Sequence, residues 1–131
     1  MRVLIIDDDA DLRLIIRASL RHRGFEVAEA ASGGEGIQSA RAVRPDVILL
    51  DVMMPEMDGP ATLRALQADP ATVEIPVVFL TAKAMRAEID RLRALGAAGV
   101  LIKPFDPLSL GSELEEVLRD ALGDGREGRG A

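Results

Sequence analysis

No cysteine, tryptophan or tyrosine occurs in the 131 residues, and phenylalanine occurs only three times, as Phe25, Phe79 and Phe105. Without cysteine there is no disulfide framework and no thiolate nucleophile, a usage that suits a cytoplasmic protein. No apolar run approaches the roughly 18 residues needed to cross a bilayer, and the N-terminus has no signal-peptide layout, so no membrane partner is expected. Positive charge is short: 16 Lys and Arg stand against 22 Asp and Glu, for a formal charge of -6. A chain of that sign lacks the basic face that phosphate contacts need, which argues against direct binding to nucleic acid. Only two of the cations are lysines, Lys83 and Lys103. With so few aromatic rings, the 48% apolar content must build its core from Ala, Val, Ile, Leu and Met. The length is enough for one domain to do so without a metal or disulfide staple.

Five short apolar runs punctuate the chain: Val3–Ile6, Phe25–Ala28, Val47–Leu50, Val77–Leu80 and Val100–Ile102. Runs that are apolar on both faces read as buried parallel strands. The second run is interrupted by Glu26 and followed by Glu29, as an edge strand would be. Helix-length segments lie between the runs. Residues 10–22 place Leu12, Ile15, Ile16, Ser19 and Leu20 on one face and Arg13, Arg17 and Arg21 on the other. Residues 33–43 follow a capping-box spacing from Ser32 to Glu35. Further helices are expected at 60–68, 84–95 and 107–122. Repeated strand–helix alternation predicts one doubly wound α/β domain over 1–122. The Gly-rich polar stretch 123–131 is expected to be a flexible tail.

The chemistry lies in the residues just past the strands. Asp7, Asp8 and Asp9 come after the first run, Asp51 after the third, Thr81 after the fourth and Lys103-Pro104 after the fifth. Asp9 is expected to cap the first helix. Open parallel sheets bind ligands outside the carboxyl ends of their strands, so these scattered residues converge on one edge. Three carboxylates and one ammonium leave that edge two negative charges in excess. Two carboxylates about 4 Å apart repel by roughly 4 kcal/mol at an effective dielectric near 20. A divalent cation offsets this, and all-oxygen ligands favour Mg2+ or Mn2+ over Zn2+, the single His22 lying elsewhere. A cation, an ammonium and a hydroxyl around one carboxylate suit a phosphoryl group, which makes one Asp a candidate nucleophile.

The pair Asp7-Asp8, the stretch from Asp51 through Pro55 to Asp58-Gly59, Thr81-Ala82 and Lys103-Pro104-Phe105 resemble the receiver domain of bacterial two-component response regulators, in particular single-domain chemotaxis regulators. The resemblance spans residues 2 to about 122. It implies a flavodoxin-like five-stranded parallel sheet in the order 2-1-3-4-5 with helices on both faces. It further implies that Asp51 accepts phosphate from a histidine kinase or a histidine phosphotransfer protein. Mg2+ would be held by Asp8, Asp51 and the Met53 main-chain carbonyl, with Asp7 acting through water. Lys103 and the Ala82 amide would contact the phosphoryl group, Thr81 would swing toward it, and the Lys103–Pro104 peptide would be cis. The same resemblance makes the chain a phosphoacceptor and not a turnover enzyme. It would signal as a monomer or weak dimer, through contact with a downstream protein of unidentified kind.

The family keeps an aromatic switch residue three positions before the Lys, where this chain has Val100. Either the switch works through Thr81 and backbone shifts alone, or the output surface lies elsewhere. Met53 and Lys83, two residues past Asp51 and Thr81, would border the phosphoryl pocket and tune phosphate lifetime. Leu12, Ile15 and Phe105 are candidate docking residues for a kinase helix pair, against ordinary core packing as the plainer account. Two alternatives stand beside this reading. A haloacid-dehalogenase-type phosphatase would need a second carboxylate where Met53 stands, and a binding-only receiver would not need the intact Asp–Thr–Lys set.

Overall fold

A computed structural model describes residues 1–123. Its elements alternate without exception: β1 (Arg2–Ile6), α1 (Ala10–His22), β2 (Glu26–Ala30), α2 (Gly33–Val43), β3 (Val47–Asp51), α3 (Gly59–Gln67), β4 (Val77–Thr81), α4 (Arg86–Ala94), β5 (Gly99–Ile102) and α5 (Leu110–Leu118). A π-helical turn over Arg119–Gly123 continues α5. Apart from Gly123, the expected tail lies outside the described residues.

The five strands are parallel and ordered β2-β1-β3-β4-β5, the flavodoxin-like order that the resemblance implies. β3 and β4 are buried along their whole length, which is why their sequences are apolar on both faces. β2 is an edge strand and only its last residue, Ala30, is fully buried. Side chains alternate across the sheet and divide the core in two. Val3, Ile5, Leu49 and Leu80 pack with Ile16 and Leu20 of α1 and Leu110, Leu114 and Leu118 of α5. Leu4, Ile6, Leu50 and Phe79 pack with Ala40 of α2, Leu63 and Leu66 of α3 and Leu92 of α4. Helices thus cover both faces, and the order reverses between β1 and β3, where a crevice opens at the strand ends.

Local chemistry sets the helix starts. Asp9 caps α1, accepting from the Asp11 and Leu12 amides at 3.0 and 3.1 Å. Ser32 caps α2 through the Glu35 amide at 3.2 Å, and Asp58 caps α3 through the Ala61 amide at 2.9 Å. The last helix begins at Leu110 and not at 107, because Asp106 folds residues 107–109 into a turn. Its carboxylate takes the Leu108 amide at 2.9 Å, and its carbonyl takes the Ser109 and Leu110 amides.

Two assignments on α1 are corrected. Ile15, placed on the core face by its spacing, is 45% exposed, whereas Ile16 and Leu20 are fully buried. Arg13, placed on the outward face, has a side chain only 16% exposed, because Glu29 of the edge strand draws it inward.

Candidate functional site

β1 and β3 lie side by side, so their carboxyl ends deliver Asp7 and Asp51 to the same crevice. Both are buried, at 1% and 6% exposure, while Asp8 is exposed beside them. Asp7, Asp8 and Asp51 each bring one carboxylate oxygen to a point where all three lie within 4.8 Å of one another. Lys103, arriving from the end of β5, donates to Asp51 Oδ1 at 2.9 Å and approaches Asp7 Oδ2 at 3.5 Å. One ammonium thus faces three carboxylates.

That imbalance shows in the titrating groups. Burial pushes the Asp7 carboxyl above the ordinary carboxylate value and the Asp51 charge adds to this, while the Asp9 amide and Lys103 oppose it. Burial works against the Lys103 ammonium. Its hydrogen bond to Asp51 and the charges of Asp7 and Asp51 outweigh that effect and raise it above an ordinary lysine. Three hard oxygens converging on a point of excess negative charge fit a small divalent cation such as Mg2+.

The other residues expected at the site lie in or just after β3, β4 and β5. Thr81 ends β4 at 2% exposure, and its hydroxyl accepts the Lys83 amide at 3.1 Å. Ala82 follows it on the surface, and the Lys103–Pro104 peptide is cis. Met53 lies in the exposed loop after β3, 71% exposed, and lines a groove of about 850 Å³ with Lys83, Arg64 and Arg91. Gly59 closes that loop, its amide donating to the Val52 carbonyl at 2.9 Å. A Cβ at Gly59 would meet the Asp51 carbonyl and the Phe79 ring, so only glycine lets α3 start this close to β3. Val100 pairs with Phe79 and packs half-buried on the α2–α4 side of the sheet.

Leu12, Ile15 and Phe105 line one groove of about 330 Å³ with Ala82, Lys103 and Pro104. Leu12 and Phe105 also pack against the core, whereas Ile15 is open at the rim. His22 sits exposed at the end of α1, away from the acidic cluster.

The residues that sequence reasoning passed over are Arg13, Glu29 and Arg17. Arg13 Nη1 donates to the Asp7 carbonyl at 2.6 Å and its Nε to Glu29 Oε1 at 3.1 Å, while Arg17 holds Glu29 Oε2 at 2.6 Å. The signal was present: Glu29 occupies an inward-facing position of an edge strand, two residues past the core-packed Val27 and opposite arginines spaced i, i+4.

A family model described as the response regulator receiver domain matches residues 3–115. The chain belongs to that family. This receiver domain is 40% identical over 120 residues to the transcriptional regulatory protein PrrA of Mycobacterium tuberculosis, covering 90% of this chain and 50% of that one. It is 36% identical over 118 residues to the DNA-binding response regulator MtrA of the same organism, again covering 90% and 50%. The chain spans about half the length of the curated relatives it matches. Among solved structures it is similar to the chemotaxis response regulator CheY4 of Vibrio cholerae, with a TM-score of 0.83, 35% identity, and coverage of 89% of this chain and 98% of that one. The receiver domain therefore belongs to two-component response regulators, and the phosphatase alternative finds no support in these likenesses. No helix among the described residues is long and apolar enough to cross a membrane.

Proposed function

We propose that this receiver domain takes a phosphoryl group onto Asp51 from a histidine kinase or histidine phosphotransfer protein and passes the signal on by protein–protein contact. The observation that carries the reading is Asp51 itself. It is buried at the switch point of the sheet, held by Lys103 at 2.9 Å, and surrounded by carboxylates within 4.8 Å that no single ammonium neutralises. Asp8, Asp51 and the Met53 carbonyl would hold Mg2+, with Asp7 contributing through water. Bound there, the ion would offset the negative charge that carboxylates and phosphoryl oxygens gather in one place.

The chain's own groups do the rest. An Asp51 carboxylate oxygen attacks phosphorus, the phosphorus–nitrogen bond of the donor phosphohistidine breaks, and its electron pair stays on the imidazole, which takes up a proton. Lys103, already on Asp51 Oδ1, is positioned to pair with a phosphoryl oxygen. The Thr81 hydroxyl exchanges its present role as acceptor from the Lys83 amide for donation to the phosphoryl group, beside the Ala82 amide. That exchange biases a two-state equilibrium of the β4–α4 segment. The groove of Leu12, Ile15 and Phe105 borders Lys103 and suits an apolar helix pair carrying the donor histidine.

The test is incubation with acetyl phosphate and Mg2+ followed by intact-mass measurement. A gain of one phosphoryl group that Asp51→Ala abolishes is expected. No gain, or a gain that survives Asp51→Ala, overturns the reading. Continuous hydrolysis of external phosphate esters over many turnovers would point to an enzyme instead. Met53 and Lys83 line one groove beside the site, so Met53→Asn and Lys83→Glu are expected to change the first-order decay of the phosphorylated protein severalfold. Decay constants equal to wild type in both variants would remove these two side chains from control of phosphate lifetime.

A further inference from the structure

The segment from Asp7 to Asp9 is tethered on either side of Asp8. The Asp7 amide donates to the Ala30 carbonyl at 3.1 Å, and the Asp9 amide donates to Asp7 Oδ1 at 2.9 Å. The Asp7 carbonyl accepts from Arg13 Nη1 at 2.6 Å. Peptide units are planar, so holding the Asp7 oxygen fixes the plane that contains the Asp8 nitrogen and Cα. Holding the Asp9 amide fixes the plane on the other side of Asp8. The backbone of Asp8 is therefore bracketed between two anchored planes, and its carboxylate leaves from a fixed origin toward Asp7 and Asp51.

One of those anchors depends on a long side chain that would otherwise have rotamer freedom. Glu29 removes it: Oε1 takes Arg13 Nε at 3.1 Å, while Oε2 is occupied by Arg17 Nη1 at 2.6 Å. All three side chains are largely withdrawn from solvent, at 16% exposure for Arg13, 24% for Glu29 and 35% for Arg17. A guanidinium donates from two edges in a fixed plane, which lets Arg13 bridge the Asp7 carbonyl just past β1 and a carboxylate on β2 at once. We propose that Arg13 is a positioning residue for the cation site, aiming the Asp8 carboxylate through the Asp7 carbonyl, with Glu29 and Arg17 holding Arg13 in place. The inference rests on the reading of Asp7, Asp8 and Asp51 as the acidic cation site.

Positioning and plain electrostatics predict opposite signs. Arg13→Met deletes a positive charge that sits on the Asp7 main chain, and on charge alone it would tighten Mg2+ binding. If Arg13 aims Asp8, the same change weakens it, by about tenfold, the lower end of what loss of a hydrogen-bond partner behind a metal ligand costs. Arg13→Lys keeps the charge but cannot bridge carbonyl and carboxylate together, and is expected to weaken binding by a smaller factor. Arg23→Met serves as control, since it makes the same change in net charge and breaks only the exposed pair with Glu115.

The measurement is the MgCl2 dependence of the Asp8 and Asp9 amide shifts in metal-free protein by nitrogen–proton NMR, whose dispersion also reports folding. Weaker binding in Arg13→Met, with Arg23→Met within twofold of wild type, is the expected result. If Arg13→Met does not fold, Arg13→Lys decides. Arg13 variants that bind as tightly as wild type, or more tightly, overturn the positioning role and leave the phosphoacceptor reading standing. A wild-type protein with no saturable Mg2+ shift overturns both.

Discussion

Lys103→Met is expected to destabilise the metal-free protein at pH 7 by about 2 kcal/mol, below the roughly 3–5 typical of a fully buried pair that loses one partner. The discount reflects the 22% exposure of the Lys103 side chain, against 1% for Asp7 and 8% for Asp51. Methionine keeps much of the length of lysine, so the loss is chiefly electrostatic. Asp7 and Asp51 would then face each other with Asp8 nearby and no cation among them. Two further measurements separate this from a packing effect. Adding Mg2+ should recover stability, because a cation that binds only the folded state raises it by mass action. Asp7→Asn in the Lys103→Met background should recover part as well, since an amide oxygen can still accept the Asp9 amide while one repelling charge is gone. The pH dependence has a definite sign. Lys103 is raised above its ordinary value, so its contribution is fully present below the unfolded lysine value near 10.4 and is lost as pH rises through the folded one. Wild type and Lys103→Met should therefore converge in stability at strongly alkaline pH. Urea midpoints in EDTA that coincide at pH 7 would show that the ion pair contributes nothing to the fold.

The sheet could be read from sequence because β3 and β4 are buried on both faces and had to be written as unbroken apolar runs, Val47–Leu50 and Val77–Leu80. The polar residues that end these runs, and those that end the first and fifth, then had one place to go, which is why Asp7, Asp51, Thr81 and Lys103 could be gathered onto one edge by strand order alone. Helix faces were less legible. Ile15 has the spacing of a core residue but stands at the rim of the Phe105 groove, because the stretch from Pro104 to Ser109 turns before α5 begins and leaves that part of α1 uncovered. Arg13 misled in the opposite direction. An arginine three residues into a helix normally reads as solvated, and its burial depends on Glu29, sixteen positions away on an edge strand. Periodicity reports which way a side chain points but not which partner waits there, and periodicity alone places Arg13 outward.

The few aromatic rings give the second large effect. Phe79→Ala is expected to lower unfolding stability by about 3–5 kcal/mol, a large part of the roughly 5–15 that a domain of this kind has in total. Phe79 is fully buried and leads the buried side chains by volume, whereas Phe25 keeps 7% exposure and Phe105 packs only partly against the core. Its neighbours cannot close over the void. Gly59 approaches the ring because it has no side chain, and it is held in place by its bond to the Val52 carbonyl. On the neighbouring strand Val100 stands opposite, where a larger side chain would have filled part of the space. The cavity would therefore open directly behind Val52 and the loop that carries Met53, and the effect should reach the site as well as the fold. Phe79→Leu conserves most of the volume and is expected to cost about 1.5 kcal/mol or less. Urea unfolding should show the Phe79→Ala midpoint falling with an unchanged slope. A loss under about 1 kcal/mol for Phe79→Ala would mean that α3 collapses onto the sheet without the ring, and that Gly59 is held against β3 by its backbone bond alone.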